Sequence, residues 1–182
     1  MRSDDSTAIQ VRQMVPEDRD AVAALVASVE NFNHAEIECA LELIDIYLED
    51  EHQKDYRIVV AGDSFRNVSA YACWGPVPLT RGTYDLYWIA VHPDARRRGF
   101  GRALLSSIED MAGDEGGRLL VAETSAKTSY ETTVKFYQRL DFLEASRIRD
   151  FYDVGDDRLI FVRRLSPQGE KFNNGTNRAV DD

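Results

Sequence analysis

Ile9, Val11 and Gln13 alternate as a short first strand that stops at Pro16. Pro16-Glu17-Asp18 suits a helix start, with proline at the first helical position and carboxylates at the positive end of the helix dipole. Val22, Leu25, Val26 and Val29 then repeat at helical spacing. A second apolar stripe, Ile37, Ala40, Leu41, Ile44, Tyr47 and Leu48, predicts a helix from about His34 to Glu49. Such stripes usually face a core, so it reads as core or as the wall of a cleft rather than as a partner-binding surface.

From Tyr56 the period changes. "YRIVVAG" and "NVSAYACWG" are β-branched and aromatic runs separated by Asp63-Ser64-Phe65-Arg66, the pattern of an antiparallel hairpin. "TYDLYWIAV", Thr83 to Val91, has little polar alternation, as expected of a central strand covered on both faces. A helix starts near Gly99, carries Leu104, Leu105, Ile108 and Met111, and ends by Gly113. "RLLVAET" is a further strand, followed by a helix containing Val134, Phe136, Tyr137 and Leu140. "FLEASRIRDFY" and "RLIFVRRL" close the pattern as two strands around Gly155-Asp156-Asp157. The order β-α-α-β-β-β-α-β-α-β-β argues for an α+β fold rather than a regular βαβ repeat. Residues 8–165 form the expected single domain, and the polar ends, 1–7 and 166–182, are expected to be flexible.

Composition narrows the chemistry. At 182 residues and 43% hydrophobic content, one domain with a substantial core is expected. A net charge of −10 disfavours nucleic acid and anionic membranes as partners, because the whole-protein field repels polyanions. No signal peptide or membrane-spanning stretch is legible, which points to the cytoplasm. Cys39 and Cys73 fall in different elements and read as buried free thiols. No metal-ligand spacing is present.

Against this acidity, "VHPDARRRGFGRALLSSIED", Val91 to Asp110, concentrates Arg96, Arg97, Arg98 and Arg102 around Gly99 and Gly101 at a strand-to-helix junction. Unpaired N–H groups at a helix start, the helix dipole and local arginines together make an anion site. A dinucleotide fingerprint fails because Leu104 stands where a third glycine is required. A Walker loop fails because Arg102-Ala103 stands where Lys-Ser or Lys-Thr is required.

Arg96-Arg97-Arg98-Gly99-Phe100-Gly101 resembles the (Gln/Arg)-x-x-Gly-x-(Gly/Ala) motif of the GNAT superfamily of N-acetyltransferases, and "WIAVHPDAR" and "FYQRLDF" resemble its flanking segments. The similarity in element order runs from about Ile9 to Leu165, and in motif from Trp88 to Phe142. The resemblance implies a mixed, mainly antiparallel central sheet flanked by helices. It implies acetyl-CoA as co-substrate, with its pyrophosphate at this junction, and no metal. The cofactor residues would then be Ile89, Ala90, Val91, Arg96, Arg97, Arg98, Gly99, Phe100, Gly101, Arg102 and Ala103, with Tyr130 where many relatives carry asparagine. It further implies direct transfer of the acetyl group to a primary amine of a small metabolite, peptide or protein. A non-catalytic acyl-CoA-binding sensor is the alternative, and homodimers are common among similar proteins.

By the same resemblance, a backbone N–H of Ala90 or Val91 stabilises the oxyanion, Tyr137 is the general acid, and Glu123 or Asp85 is the base. His92 reads as a cap or surface residue. Acceptors in the family enter between the first two helices and the last hairpin, which implies Phe32, Tyr47 and Tyr152 as substrate residues, with His34, Arg149 and Phe151 nearby. The family's usual glycine before the last motif phenylalanine is Asp141, which suggests a different turn.

Overall fold

A computed structural model describes residues 8–165; the two termini expected to be flexible lie outside the described residues. The elements are β1 (Gln10–Gln13), α1 (Arg19–Ala27), α2 (His34–Glu49), β2 (Arg57–Gly62), β3 (Ala70–Pro76), β4 (Thr83–Val91), α3 (Phe100–Asp114), β5 (Leu119–Ser125), α4 (Glu131–Arg139), β6 (Leu143–Asp153) and β7 (Asp156–Arg164). The expected element order is the observed one. Pro16–Asp18 departs from expectation by forming a short 3-10 turn ahead of α1. Its Asp18 is spent on Arg12, which donates to both carboxylate oxygens at 2.5 and 2.7 Å, and on the Val15 N–H at 2.9 Å. That guanidinium holds the Asp18 carboxyl below its ordinary value.

One seven-stranded sheet runs in the order β1-β2-β3-β4-β5-β7-β6. All its pairs are antiparallel except β4 with β5. β4 is therefore central, as its scant polar alternation predicts, and α3 supplies the crossover that a parallel neighbour needs. Strand alternation sends side chains to two cores. Trp74, Tyr84, Leu86, Leu120, Ala122 and Phe161 meet α3 and Tyr137 of α4 on one face. Ile58, Val60, Tyr71 and Cys73 meet α1 and α2 on the other. Of the two thiols, only Cys73 is buried; Cys39 lies on the exposed side of α2.

Two irregularities of β4 set up the site. Cys73 pairs with Trp88 and Trp74 with Leu86, so Tyr87 is an extra residue, a β-bulge that bends and twists the strand. The bulge also reverses the alternation beyond it: Asp85 lies opposite the α3 face, whereas Ile89 packs toward it, so the two do not share a face as simple alternation predicts. In addition, β4 and β5 pair only from Thr83–Leu119 to Leu86–Ala122. Beyond that point β4 keeps β3 and β5 keeps β7, and the sheet forks.

Candidate active site

The fork leaves one edge of β4 unpaired, and its N–H groups can be assigned by alternation. His92 N–H turns to Ser69 C=O of the β3 side at 2.9 Å. An extended chain alternates its bonding direction, so Ala90 faces β3 while Ile89 and Val91 present N–H groups to the open side. Of Ala90 and Val91, only Val91 turns its N–H to the open edge, with Ile89 beside it. His92 itself is a cap, its Nδ1 accepting from Asp94 N–H at 3.3 Å.

The arginine loop runs from the end of β4 into α3. Gly99 is the residue before the helix and has φ +96°, a conformation L side chains resist. The first backbone bond of this end runs from Ala103 N–H to Gly99 C=O at 3.0 Å, so the amides before it point out of the helix. No side chain caps them, and the first turn holds no carboxylate. Arg96 stands 3.6 Å from Glu30, and Arg98 stands 3.5 Å from Asp63 with its guanidinium over the Phe100 ring. Arg96 and Arg98 thus face carboxylates, whereas Arg97 and Arg102 face none among the described residues. The Phe100 side chain is core, which leaves only its backbone for a ligand. Gly101 has a packing role: a Cβ there would lie 2.9 Å from the Phe136 ring, so glycine lets α3 pack against α4. Ala103 sits half-buried two positions further on.

Tyr137 reaches the fork from the α3 face. Its ring stacks on Phe161, whose strand partner Ala122 closes the last β4–β5 pair. A Schellman motif fixes it. Phe142 N–H bonds Tyr137 C=O at 3.1 Å, Asp141 N–H bonds Gln138 C=O at 3.3 Å, and the Phe142 ring packs on Tyr137 at 5.3 Å. Asp141 takes φ +59° in this motif. The turn is therefore the left-handed one that a glycine would make, not a different turn. Tyr137 is 3% exposed, and its hydroxyl has no hydrogen-bond partner among the described residues. Burial raises the phenol well above its ordinary value, so it is protonated at neutral pH.

Asp85 and Glu123 approach from the opposite face. Asp85 pairs in register with Val121, and Glu123 is two residues further along β5 on the same face. Glu123 accepts a hydrogen bond from Arg158 of β7. Asp85 is half-buried with no hydrogen-bond partner among the described residues; burial first, then the Glu123 charge, raise its carboxyl.

The remaining predicted residues divide. Phe32 packs edge-on against Trp88 at 5.2 Å, and Tyr152 is exposed beside Phe151 and electrostatically close to Glu123 and Arg158, so both border this side. Tyr47 does not: its hydroxyl donates to Met14 C=O at 3.2 Å, over the β1 and β2 end of the sheet. The Tyr130 hydroxyl donates to Glu36 at 2.5 Å and lies 3.0 Å from Asn31 C=O, tying the β5–α4 loop to the start of α2. Ser125 and Lys127 are taken by buried Asp156, at 2.5 and 3.0 Å. Sequence reasoning missed Arg158, Trp88 and Glu36. The two-residue alternation of "RLIFVRRL" is the one signal that could put Arg158 on a definite face, and nothing local names its partner. Among the described residues no group of three metal-ligating side chains converges, and no helix is long and apolar enough to cross a membrane.

The acetyltransferase (GNAT) domain model matches residues 54–144, half of the chain. A GNAT-family protein of Desulfovibrio desulfuricans, solved by crystallography, is 39% identical, with a TM-score of 0.83 over 87% of this chain and 100% of that one. The [ribosomal protein bS18]-alanine N-acetyltransferase of Escherichia coli is 37% identical over 73 residues, 40% of this chain and 48% of that protein. The chain thus spans about half the length of the curated relatives it matches. A Salmonella typhimurium protein solved with its cofactor acetyl-CoA shares the fold, at TM-score 0.65 and 18% identity over 90% of this chain and 97% of that one. With the fork, the arginine-lined helix start and this agreement together, the chain belongs to the GNAT acetyltransferase family.

Proposed function

We propose that the protein transfers the acetyl group of acetyl-CoA directly to a primary amine. The single observation that carries this reading is the bare edge of β4 leading into an uncapped, arginine-lined helix start. One offers main-chain N–H groups to an extended amide-bearing chain, and the other offers N–H groups and cations to a diphosphate. Arg97, Arg102 and the amides of Phe100, Gly101 and Arg102 would hold the diphosphate, while Val91 N–H would meet the developing oxyanion.

In the reaction, an acceptor ammonium gives one proton to a carboxylate of the Asp85–Glu123 pair and keeps the electron pair that forms the new N–C bond. The C–S bond breaks with its electrons on sulfur, and Tyr137 O–H protonates that sulfur. The second nitrogen proton restores the phenol, and the carboxylate releases its proton to solvent. A lone carboxylate and a protonated phenol on opposite faces of the fork favour this enzyme over a non-catalytic acyl-CoA sensor.

The acceptor is a peptide or protein N-terminus in the reading best supported by the relative that acts on the alanine of a ribosomal protein. Acceptor and enzyme would meet in the cytoplasm. Thiol release from acetyl-CoA tests the proposal against a panel of an alanine-initiated peptide, an internal-lysine peptide and a small diamine. Tyr137→Phe should lower kcat by about a hundredfold; equal rates for wild type and variant would reject Tyr137 as the acid. Tight uptake of acetyl-CoA with no turnover on any amine would favour the sensor.

A further inference from the structure

We infer that Arg158 is a positioning residue for proton transfer from the acceptor, holding Glu123 as a fixed counter-charge and leaving Asp85 as the group that takes the proton. This assignment rests on the transferase reading above and divides the work between two carboxylates that it left equivalent.

The division follows from what each carboxylate touches. Arg158 stands opposite Ser125 in the β5–β7 ladder, on the face that also carries Glu123, and its Nη2 donates to Glu123 Oε1. Its guanidinium lies over the Phe151 ring, 4.7 Å from the centroid, and its Nε is closed off from solvent without a partner among the described residues. Arg158 is therefore held in place by stacking and by one ion pair. The ion pair gives the Glu123 carboxylate a fixed partner and orientation, and a proton on it would weaken that charge-assisted bond. Asp85 has no such bond to lose. It stands one residue before the last β4–β5 pair, half-buried, with both oxygens unpartnered among the described residues.

The groups facing Asp85 are Glu123 from β5, Arg158 from β7 and, on its own strand, Tyr87; Tyr152 of β6 faces Glu123 and Arg158 in turn. Glu123 and burial raise Asp85 while Arg158 draws it back. The raised direction is the one a general base needs to gain proton affinity near neutral pH. In the step itself, an ammonium N–H bond breaks, the proton passes to an Asp85 oxygen, and the electron pair remains on nitrogen for attack. The proton then leaves Asp85 for solvent.

The sign of the pH response separates this from a structural role. Asp85 works deprotonated, so activity is lost as pH falls through its folded value. Removing Arg158 removes the charge that lowers that value, and the acid limb of kcat moves to higher pH. Removing the Glu123 charge moves the limb to lower pH.

The test is the pH profile of kcat for wild type, Asp85→Asn, Glu123→Gln, Arg158→Met and Arg158→Lys, with acetyl-CoA and the fastest acceptor of the three-amine panel. Folding is checked by thermal denaturation and acetyl-CoA uptake by calorimetry. Asp85→Asn is expected to lower kcat about a hundredfold, and Glu123→Gln much less, with its limb displaced to lower pH. Arg158→Met should displace the limb to higher pH, and Arg158→Lys should restore most of it. A hundredfold loss in Glu123→Gln with a small one in Asp85→Asn would overturn the assignment alone, as would an unmoved limb in a folded Arg158→Met. Wild type that binds acetyl-CoA yet acetylates none of the amines would overturn the assignment together with the reading beneath it.

Discussion

Two helices of this protein begin in opposite ways. α2 closes its own start: Glu36 N–H donates to the Asn33 side chain at 3.0 Å, and Asn33 N–H donates to the Glu36 carboxylate at 2.7 Å, the reciprocal capping box. At α3, the residue in the place of Asn33 is Gly99, and the residue in the place of Glu36 is Arg102. Neither can cap, and the arginine repels nothing an anion brings. A self-sufficient start and a start left wanting differ by two side chains, and the second is the one that the proposed diphosphate would complete.

The comparison breaks most completely if α3 is given the chemistry of α2. Arg102→Glu removes a cation and supplies an internal carboxylate. The loss of charge-assisted bonds and the added repulsion are together worth about 3 kcal/mol, so acetyl-CoA affinity should fall by roughly a hundredfold or more. Thermal stability should hold or rise, because the carboxylate suits the helix dipole. Calorimetry and a melting curve on one sample check both halves. Gly99→Ala is the next largest. The nearest atom a Cβ would meet is Ile9 Cδ1 at 3.6 Å, so the cost comes from φ +96° rather than from a clash. It should be about 1–2 kcal/mol of stability, with acetyl-CoA binding weakened several-fold as the loop re-aims its amides. The smallest effect belongs to α2: Asn33→Ala should cost about 1 kcal/mol in chemical denaturation and leave acetyl-CoA affinity untouched. A loss of affinity there would show that the two starts are not independent.

Much of this architecture is legible in the amino-acid sequence. The period of apolar residues carries the element order, the bounds of α2 and the central place of β4, because core burial is what sets that period. The α3 junction is legible because its signal is local, with arginines and glycines adjacent in the chain. What escapes depends on pairing between distant segments. The extra residue Tyr87 is invisible until Cys73 and Trp74 lie beside β4, so simple alternation misplaces the face of Ile89 relative to Asp85. Arg158 and Glu123 are 35 positions apart, and only a shared ladder joins them. Tyr47 keeps helical rhythm with its neighbours, yet its end of α2 lies toward β1 rather than the fork. At Asp141 the residue type misleads because conformation, not identity, is what the Schellman motif demands.

The most direct measurement is a titration of uniformly 15N-labelled protein with acetyl-CoA, following backbone amide resonances. The largest shifts should fall on Phe100, Gly101 and Arg102, with Ile89 and Val91 moving and Glu36, at the capped start, silent. Saturable binding that leaves the α3 amides unmoved would contradict the account.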